Sequence, residues 1–307
     1  MRNRYRTLAI TGGTGFVGRH LIEAALAQGH VVRALARSPR PPRESVHWIY
    51  GSLEKPQALA QLIAGADAVI HVAGTINAPD RAGFVAGNVS GTLAMVEATR
   101  RAGVRRFVHV SSLAAREPTL SDYGWSKARA ETVVAASALD WTTIRPPAVF
   151  GPGDREMLEL FRAARRGIVP LPPSGRLSVI AAQDLVRLLL AVLPDDDSIA
   201  QTYEVDDGRP HGWSHAEFAQ ALGHSVGRRV RPQPVPAWAL HAGAKLDALL
   251  RSHNAKLTPD RVRYFLHPDW TIDPGRRPPP HLWRPQLATL DALAITAESY
   301  REEGLLR

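Results

Sequence analysis

The sequence contains no cysteine among its 307 residues. A disulfide framework, a thiolate nucleophile and a zinc or iron–sulfur site with cysteine ligands are therefore excluded. His211 and His215 lie four residues apart, but Gly212 weakens a helix there and no third ligand is evident, so no metal site is predicted. Long apolar runs are also missing, since the longest, near 188–193, is far shorter than the roughly 20 residues that span a bilayer. The apolar stretch after the basic N-terminus, 7–10, is too short for a signal sequence. We therefore expect a cytoplasmic protein.

Acidic residues are fewer than basic ones. The sequence has 29 Asp and Glu and 38 Lys and Arg, which gives a formal net charge of +9. This excess leaves a nucleic acid, an anionic membrane surface and a phosphorylated ligand open as partners, beside a merely solvated basic surface. The run Arg-Arg-Val-Arg at 228–231 has no nucleic-acid-binding motif or aromatic platform around it, so nucleic acid is not predicted as a partner.

The first half of the chain alternates short apolar segments with segments of helical periodicity. The predicted strands are 7–10, 31–35, 46–50, 68–72, 106–110 and 141–144, and the predicted helices are 16–28, 56–63, 91–102 and 122–136. Such β–α–β alternation predicts a parallel sheet covered by helices on both faces.

The composition of the sequence changes after Gly151, where clustered prolines indicate loops. A helix at 182–193 and a strand at 202–205 still look like parts of the sheet domain. We therefore predict a discontinuous division, with a sheet domain of residues 1–150 plus about 181–205 and a smaller, mostly helical substrate lobe of about 151–180 plus 206–307.

A glycine-rich turn, Thr11-Gly-Gly-Thr-Gly-Phe-Val-Gly18, stands between the first strand and the first helix. Gly12 permits the tight turn, Gly15 lets the backbone approach a pyrophosphate, and Gly18 allows close packing of helix and strand. The helix N-terminus then offers free N–H groups to the anion. This position predicts dinucleotide binding rather than a plain turn. The predicted contacts are Gly12, Thr14, Gly15, Phe16 and Val17.

The end of the second strand lacks the carboxylate that would accept a hydrogen bond from the ribose of NAD. It carries Arg37 and Arg40 instead, with Arg19 as a third candidate, and guanidinium groups match the geometry of a 2′-phosphate. We therefore favour NADP(H) as the cofactor, while NAD(H) stays open and solvated arginines are the alternative interpretation.

Ser112 follows the strand 106–110, and Tyr123 and Lys127 lie four residues apart on the next predicted helix. Residues so spaced share one helix face, so the ammonium would stand beside the phenol and lower its pKa. The tyrosine could then act as a general acid or base near neutral pH. Taken alone, the Tyr-x-x-x-Lys spacing would more often be a chance pair on a helix. Its place after the glycine turn and after a strand that ends in serine favours the catalytic interpretation.

With these motifs in this order, the sequence resembles the extended or atypical short-chain dehydrogenases/reductases, the NAD-dependent epimerase/dehydratase-like proteins. The stretches 71–74, 88–92, 110–112 and 145–154 match as well. The resemblance implies a Rossmann-type doubly wound parallel α/β sheet that binds NAD(P), with a separate substrate-binding lobe.

The resemblance also implies roles for single residues. Tyr123 would donate a proton, Lys127 would hold the nicotinamide ribose, Ser112 would polarise the carbonyl, and Asn88 would support a proton relay. The further implied cofactor contacts are Ser52, Leu53, Val72, Ala73, Gly74, Tyr123, Lys127, Pro146 and Val149.

Two departures from the family pattern bear on the reaction. Leu113 and Ala114 stand where sugar-nucleotide dehydratases carry an Asp-Glu pair, and 115–117 read Ala-Arg-Glu where sugar-nucleotide epimerases often carry Val-Tyr-Gly. Both absences favour simple carbonyl reduction or alcohol oxidation over sugar-nucleotide chemistry.

The segment 236–251 is apolar and basic, with Trp238, Leu240, Lys245, Leu246, Leu249, Leu250 and Arg251. These side chains either form the lobe's own core or line an apolar tunnel whose basic rim rests on anionic lipid. A looser resemblance to relatives of a respiratory complex I accessory subunit and to bacterial ceramide-type keto-lipid reductases supports a lipid-like substrate. Peripheral contact with the inner face of a membrane therefore stays open.

We thus expect an NAD(P)H-dependent reductase of a ketone in an apolar small molecule, a monomer or a homodimer. Two alternatives stay open. They are a nucleotide-sugar epimerase with tightly bound NAD and a dinucleotide-binding structural subunit without turnover.

Overall fold

The computed structural model describes residues 6–251 and 258–306. The side chains of 248, 250 and 251 lie outside that description, and so does the basic N-terminus. The chain forms two compact units. The first comprises Met1–Arg145, Leu185–Glu204 and Arg276–Arg284, and the second comprises Pro146–Asp184, Val205–Gly275 and Pro285–Arg307.

The division differs from the sequence-based one at two boundaries, where 146–150 and 181–184 belong to the second unit, and in one further segment. Arg276–Arg284 belongs to the unit that contains the large sheet, whereas the sequence assigns these residues to the lobe. A contact with the helix after residue 184 accounts for this, since the guanidinium of Arg187 donates to the carbonyl oxygen of Arg284 at 2.9 Å.

Strands and helices alternate through the first 145 residues. They are β1 (Thr7–Thr11), α1 (Phe16–Ala27), β2 (Val31–Ala36), β3 (Val46–Tyr50), α2 (Pro56–Ile63), β4 (Ala68–His71), α3 (Arg81–Phe84), α4 (Gly91–Arg101), β5 (Arg106–Val110), α5 (Asp122–Ala135) and β6 (Asp140–Arg145). The later described elements are β7 (Ala148–Phe150), α6 (Leu158–Arg165), β8 (Ile168–Leu171), β9 (Arg176–Leu177), β10 (Val179–Ala181), α7 (Ala182–Ala191), β11 (Gln201–Glu204), β12 (Trp213–Ser214), α8 (His215–Ser225), β13 (Arg231–Pro234), α9 (Ala237–Arg251), α10 (Pro259–Leu266), β14 (Asp269–Trp270) and α11 (Thr289–Glu302).

Local signals in the sequence set several helix boundaries. Pro56 occupies the first turn of α2, where its missing N–H costs nothing. Ser121 caps α5 because its hydroxyl accepts a hydrogen bond from the N–H of Gly124 at 3.0 Å. Gly29 follows α1 with φ of +80°, a conformation in which glycine is unstrained. Thr258 caps α10 as Ser121 caps α5, since its hydroxyl accepts a hydrogen bond from the N–H of Arg261.

The first unit is built on a seven-stranded sheet of order β11-β6-β5-β4-β1-β2-β3. Every neighbouring pair is parallel, and Thr11 at the end of β1 lies in register with His71 at the end of β4. The strand order reverses between β1 and β4, which is where doubly wound sheets bind their ligands. The predicted Rossmann-type fold is therefore confirmed.

An apolar cluster packs the sheet against α2, α4 and α5. Leu62, Met95, Phe107 and Val134 within it are fully buried. Burial of each such side chain contributes about 1.5–3 kcal/mol, so this face fixes where α5 stands over β5.

The second unit has its own core, formed by α6, α8 and α11 around the parallel pair β7–β10. Phe161 and Tyr300 are fully buried there and meet edge to face at 5.1 Å. Two further small sheets, β12-β9-β14 and β13-β8, belong to the same unit. Between residues 6–251 and 258–306, no helix combines the length and apolarity needed to cross a membrane.

Candidate active site

The turn after β1 brings the ends of β1 and β4 close together. Gly12 has φ of +71°, and a Cβ there would lie 2.7 Å from the backbone nitrogen of Ala73. A Cβ at Gly18 would collide with the carbonyl oxygen of Gly12, so α1 packs directly on the turn. Gly15 caps α1 without a side-chain hydrogen bond, which leaves the first N–H groups of the helix available to an anion. Thr14, Phe16 and Val17 are partly exposed beside them.

The ends of β2 and β3 lie next to this turn at the same edge of the sheet. Arg37 and Arg40 are exposed after β2, and their guanidinium groups make no ion pair or hydrogen bond with a described residue. Ser52 and Leu53 are partly exposed after β3. Arg19 is also exposed, on α1. Two unpaired guanidinium groups at this edge suit a phosphate of a dinucleotide.

Asn88 organises the segment after β4. It lies in a short π-helical segment, Val85–Ser90, and is almost fully buried. Its Oδ1 accepts from the N–H of Thr75 at 2.7 Å, and its Nδ2 donates to the carbonyl oxygen of Thr75 and to Ser126 Oγ at 2.9 and 2.8 Å. A Cβ at Gly74 would lie 3.0 Å from Asn88 Oδ1 and 3.5 Å from Lys127 Nζ. Asn88 therefore ties the loop after β4 to α5.

Val72 and Ala73 lie between His71 and Gly74 and are partly exposed. The N–H of Ala73 donates to the hydroxyl of Thr11 at 3.2 Å. The backbone after β4 is thus held against the end of β1, beside the glycine turn.

Ser112, Tyr123 and Lys127 come together at the carboxyl end of β5. Ser112 directly follows that strand, is largely buried, and is hydrogen-bonded through its side chain to Tyr123. Its Oγ also accepts from the N–H of Ala114 at 3.2 Å. Lys127 is 5% exposed and donates from Nζ to the carbonyl oxygen of Val110 at 2.8 Å. Strand β5 therefore anchors both the hydroxyl and the ammonium.

Burial shifts the pKa values of the two titratable groups. The pKa of Lys127 is lowered from 10.5 to about 8, chiefly by burial, and Glu131 opposes the shift. Burial raises the pKa of Tyr123, while its hydrogen bond with Ser112 acts in the other direction. This is the opposite of the lowered tyrosine pKa expected from the spacing, because the loss of hydration of a phenolate outweighs the other influences.

Sequence reasoning missed a network of ionic groups beside this site. Arg145, at the end of β6, donates to both oxygens of Glu131 at 2.9 and 2.6 Å and to Glu204 at 3.2 Å. The hydroxyl of Ser111 donates to Glu131 at 2.5 Å. Glu204 is fully buried. Glu131 stands four residues after Lys127, and that spacing on α5 was the one available signal.

Two fully buried histidines at the ends of β4 and β5 were also missed. The rings of His71 and His109 stack with centroids 5.7 Å apart. His71 Nδ1 is hydrogen-bonded to the hydroxyl of Thr11 at 2.7 Å, and its Nε2 to that of Thr92 at 3.2 Å. Burial lowers the pKa of His71 to about 3 and that of His109 well below its usual range, so both rings are neutral at physiological pH.

Two predicted cofactor contacts belong to the second unit. Pro146 is its first residue, and Val149 lies in β7, in register with Ile180 of β10. Across residues 6–251 and 258–306, no three His, Asp or Glu side chains gather as a set of metal ligands.

A family model described as NAD(P)H-binding matches residues 12–166, which include the glycines of the turn, Asn88, Ser112, Tyr123 and Lys127. A ceramide reductase from Caulobacter vibrioides is 37% identical over 97% of this chain and 96% of its own length. A UDP-glucose 4-epimerase from Vibrio cholerae is 26% identical over 80% of this chain and 83% of its own length.

A solved structure shares the fold. MoeE5 in complex with UDP-glucose and NAD is 23% identical and matches with a TM-score of 0.75, over 97% of this chain and 99% of that one.

Proposed function

The chain belongs to the NAD(P)-dependent short-chain dehydrogenase/reductase family, and from that membership we propose that it is an NADPH-dependent reductase of a ketone in an apolar, lipid-like molecule. The observation that chiefly supports this proposal is the meeting of Ser112, Tyr123 and Lys127 at the end of one buried strand. A hydroxyl, a phenol and an ammonium so arranged can bind a carbonyl oxygen and protonate it.

NADPH, when bound, supplies the hydride that reduces the carbonyl carbon. The hydroxyl of Ser112 donates a hydrogen bond to the carbonyl oxygen, and Tyr123 transfers its phenolic proton to that oxygen as negative charge develops there. Since burial raises the pKa of Tyr123, the phenol is protonated at neutral pH, which is the form that reduction requires. The ammonium of Lys127 stabilises the phenolate left behind.

The glycine turn and Arg37 and Arg40 would hold the cofactor. A side chain at Gly12 would meet the backbone at Ala73, so the turn keeps open the close approach that a pyrophosphate needs. Arg37 and Arg40 have no carboxylate partner among the described residues and would bind the 2′-phosphate of NADPH. Their position favours NADPH over NADH.

The substrate class is inferred from two observations. Leu113 and Ala114 are buried in a short 3-10 turn directly after Ser112, so no acid–base pair for dehydration stands there. The relative from Caulobacter vibrioides, similar over nearly its whole length, is a ceramide reductase. A long-chain lipid with a ketone near its polar end combines the reactive carbonyl and the apolar body that this proposal requires.

The direct test is to incubate the purified protein with NADPH and a panel of ketones. The panel contains a keto-ceramide, a long-chain β-keto ester and a short water-soluble ketone. We expect NADPH oxidation with the first two and an alcohol product heavier by two hydrogens in the mass spectrum. A complete lack of NADPH oxidation across the panel would refute the proposal and favour a structural subunit.

A nucleotide-sugar epimerase is the second candidate, because the relative from Vibrio cholerae is a UDP-glucose 4-epimerase and spans most of this chain. An epimerase of this kind returns the hydride to its substrate and keeps its cofactor. Denaturing the freshly purified protein distinguishes the two candidates. Stoichiometric release of NAD, together with interconversion of UDP-glucose and UDP-galactose, would establish the epimerase.

A further inference from the structure

The second unit carries five exposed arginines at one edge of a small sheet. Strands β8 and β13 pair in parallel, with Ile168 opposite Arg231, and the N–H of Arg231 donates to the carbonyl oxygen of Gly167 at 2.9 Å. The other four arginines lie just before these two strands, two at the end of α6 and directly after it and two in the turn before β13. We call the set the arginine edge, and it consists of Arg165, Arg166, Arg228, Arg229 and Arg231.

Among the described arginines of the unit, those of the arginine edge differ in having no side-chain partner within the described part of the chain. Six arginines of the second unit form ion pairs with carboxylates, namely Arg155, Arg162, Arg209, Arg261, Arg263 and Arg301. No member of the arginine edge has an ion pair or a side-chain hydrogen bond with a described residue. The segments 165–171 and 227–235, which contain the edge, include no acidic residue. The positive charge there is uncompensated and faces solvent.

Apolar side chains accompany this charge. Ile168 is 55% exposed at the centre of the arginine edge. Strand β13 leads within two residues into α9, whose exposed stripe contains Trp238, Leu246 and Leu249, at 74, 56 and 81% exposure. Lys245 is exposed on the same stripe, because residues 238, 242, 245 and 249 repeat at helical spacing. Asp247, half-buried, lies on the opposite side of the helix.

We propose that the arginine edge and the α9 stripe bind the surface of an anionic lipid bilayer. Unpaired arginines attract the headgroups, while a tryptophan and leucines on a basic amphipathic helix enter the boundary between headgroups and acyl chains. Strand β13 is only about 13 Å long, so the two parts are close enough to act on one bilayer. Nucleic acid fits less well, because no aromatic side chain lies among the arginines to stack on bases.

This surface belongs to the second unit and lies apart in sequence from Ser112, Tyr123 and Lys127. The proposal therefore goes beyond the reductase reaction and does not depend on it. It identifies where the protein would meet a phase in which apolar substrates dissolve.

Co-sedimentation with vesicles tests the proposal on the full-length protein. One vesicle preparation is pure phosphatidylcholine, and the other contains phosphatidylglycerol as well. We expect partition into the anionic vesicles to be at least about tenfold stronger and to fall with added salt. The double reversal Arg228→Glu/Arg229→Glu should reduce it at least about tenfold. Trp238→Ser/Leu249→Ser should also reduce it, with little change in its dependence on salt.

The matched control is Lys55→Glu/Arg100→Glu, which makes the same change in net charge at exposed positions of the first unit. It should bind anionic vesicles like the wild type. Circular dichroism checks that each variant is folded, and Tyr123→Phe should keep full binding, which separates this test from that of the reaction. Equal binding to both kinds of vesicle, equal loss in the control, or stronger binding to duplex DNA or RNA than to anionic vesicles would overturn the proposal.

Discussion

At Tyr123 and Lys127, burial favours the neutral form of both side chains. The pKa of Tyr123 is raised, and that of Lys127 is lowered to about 8. A phenol that keeps its proton is suited to giving it to a developing alkoxide, whereas a phenolate would be suited to alcohol oxidation. The protonated form of Tyr123 is therefore the form that the proposed reduction requires.

Replacing Tyr123 by Phe removes this proton while leaving the ring in place. We expect the variant to lose about 10²–10⁴-fold in kcat, since that is the usual contribution of a general acid, and to keep its affinity for NADPH. Tyr264→Phe, in the second unit, is the control and should leave kcat unchanged. Steady-state kinetics and a fluorescence titration with NADPH check both statements, and near-normal turnover of Tyr123→Phe would remove Tyr123 from the mechanism.

The buried ammonium of Lys127 should lower the free energy of unfolding at neutral pH. The unfolded chain binds this proton with a pKa near 10.5 and the folded chain with a pKa of about 8, so below pH 8 the cost of burying the charge is complete. Between pH 8 and 10.5 the unfolded chain binds more protons, so this group makes stability rise with pH. Above 10.5 its cost is gone.

Lys127→Met should therefore raise the free energy of unfolding at pH 7. The pKa difference corresponds to about 3 kcal/mol, and loss of the hydrogen bond to Val110 removes about 1 kcal/mol of that gain. We expect a net gain of about 2 kcal/mol at pH 7, measured by urea unfolding, which disappears above pH 10.5, together with loss of turnover. Lys245→Met, at an exposed position, should change neither quantity. A less stable Lys127→Met variant at pH 7 would contradict this account.

An ionic network joins three elements of the first unit. Arg145 at the end of β6 bonds Glu131 of α5 and Glu204 at the end of β11. The side chains of Arg145 and Glu131 are 16 and 13% exposed, and that of Glu204 is fully buried. By contrast, Arg105 before β5 forms a bidentate pair with Asp140 of β6, but its side chain is 70% exposed. The two arginines thus offer the same bond geometry in different surroundings.

Arg145→Met should lower the free energy of unfolding by about 3–5 kcal/mol. Glu131 loses its arginine partner, and the buried Glu204 keeps only Arg116, at 3.8 Å. Arg105→Met should lower the free energy of unfolding far less, since water readily replaces an exposed partner. Urea unfolding of both variants at pH 7 measures the difference. Similar losses in the two variants would mean that burial of the Glu131 and Glu204 carboxylates is not the source of the cost.

The elements of the large sheet could be predicted from the sequence, and three of them, β3, α2 and β5, have the predicted bounds. Buried parallel strands are continuous apolar runs, and glycine or proline marks their ends. The strands of the second unit were missed because they are two to four residues long and depend on distant partners. The π-helical segment Val85–Ser90 has no pattern of its own beyond that of an ordinary helix.

In the candidate site, too, local groupings of residues could be predicted, whereas contacts between distant residues could not. That Ser112, Tyr123 and Lys127 come together could be predicted, because one strand and the next helix carry them at fixed spacing. The partnership of Arg145 with Glu204 could not, because these residues end two strands that are neighbours only in the folded sheet. Charge alone does not indicate which of the 38 basic residues are paired.

For the whole molecule, cofactor choice should appear as a difference in stability. NADPH at a hundred times its Kd should raise the free energy of unfolding by about 2.7 kcal/mol, and NADH at the same concentration should raise it clearly less. Arg37→Ala/Arg40→Ala should abolish the difference between the two cofactors, whereas Arg100→Ala should preserve it. Thermal unfolding with each dinucleotide measures this. Equal stabilisation of the wild type by both would remove the preference for NADPH.

Each compact unit is built from three separate segments of the chain. Neither unit is therefore complete until late in synthesis on the ribosome. The first unit lacks its edge strand until β11 emerges, and it lacks Arg276–Arg284 until later still. The second waits for Pro285–Arg307, which brings Leu293 and Tyr300 into its core. A nascent chain that ends at 145 would expose the open edge of β6. One that ends at 204 would still lack much of the second core and would expose apolar surface. A late premature stop codon should therefore be as damaging as an early one, with aggregation or degradation of the product rather than release of a folded half.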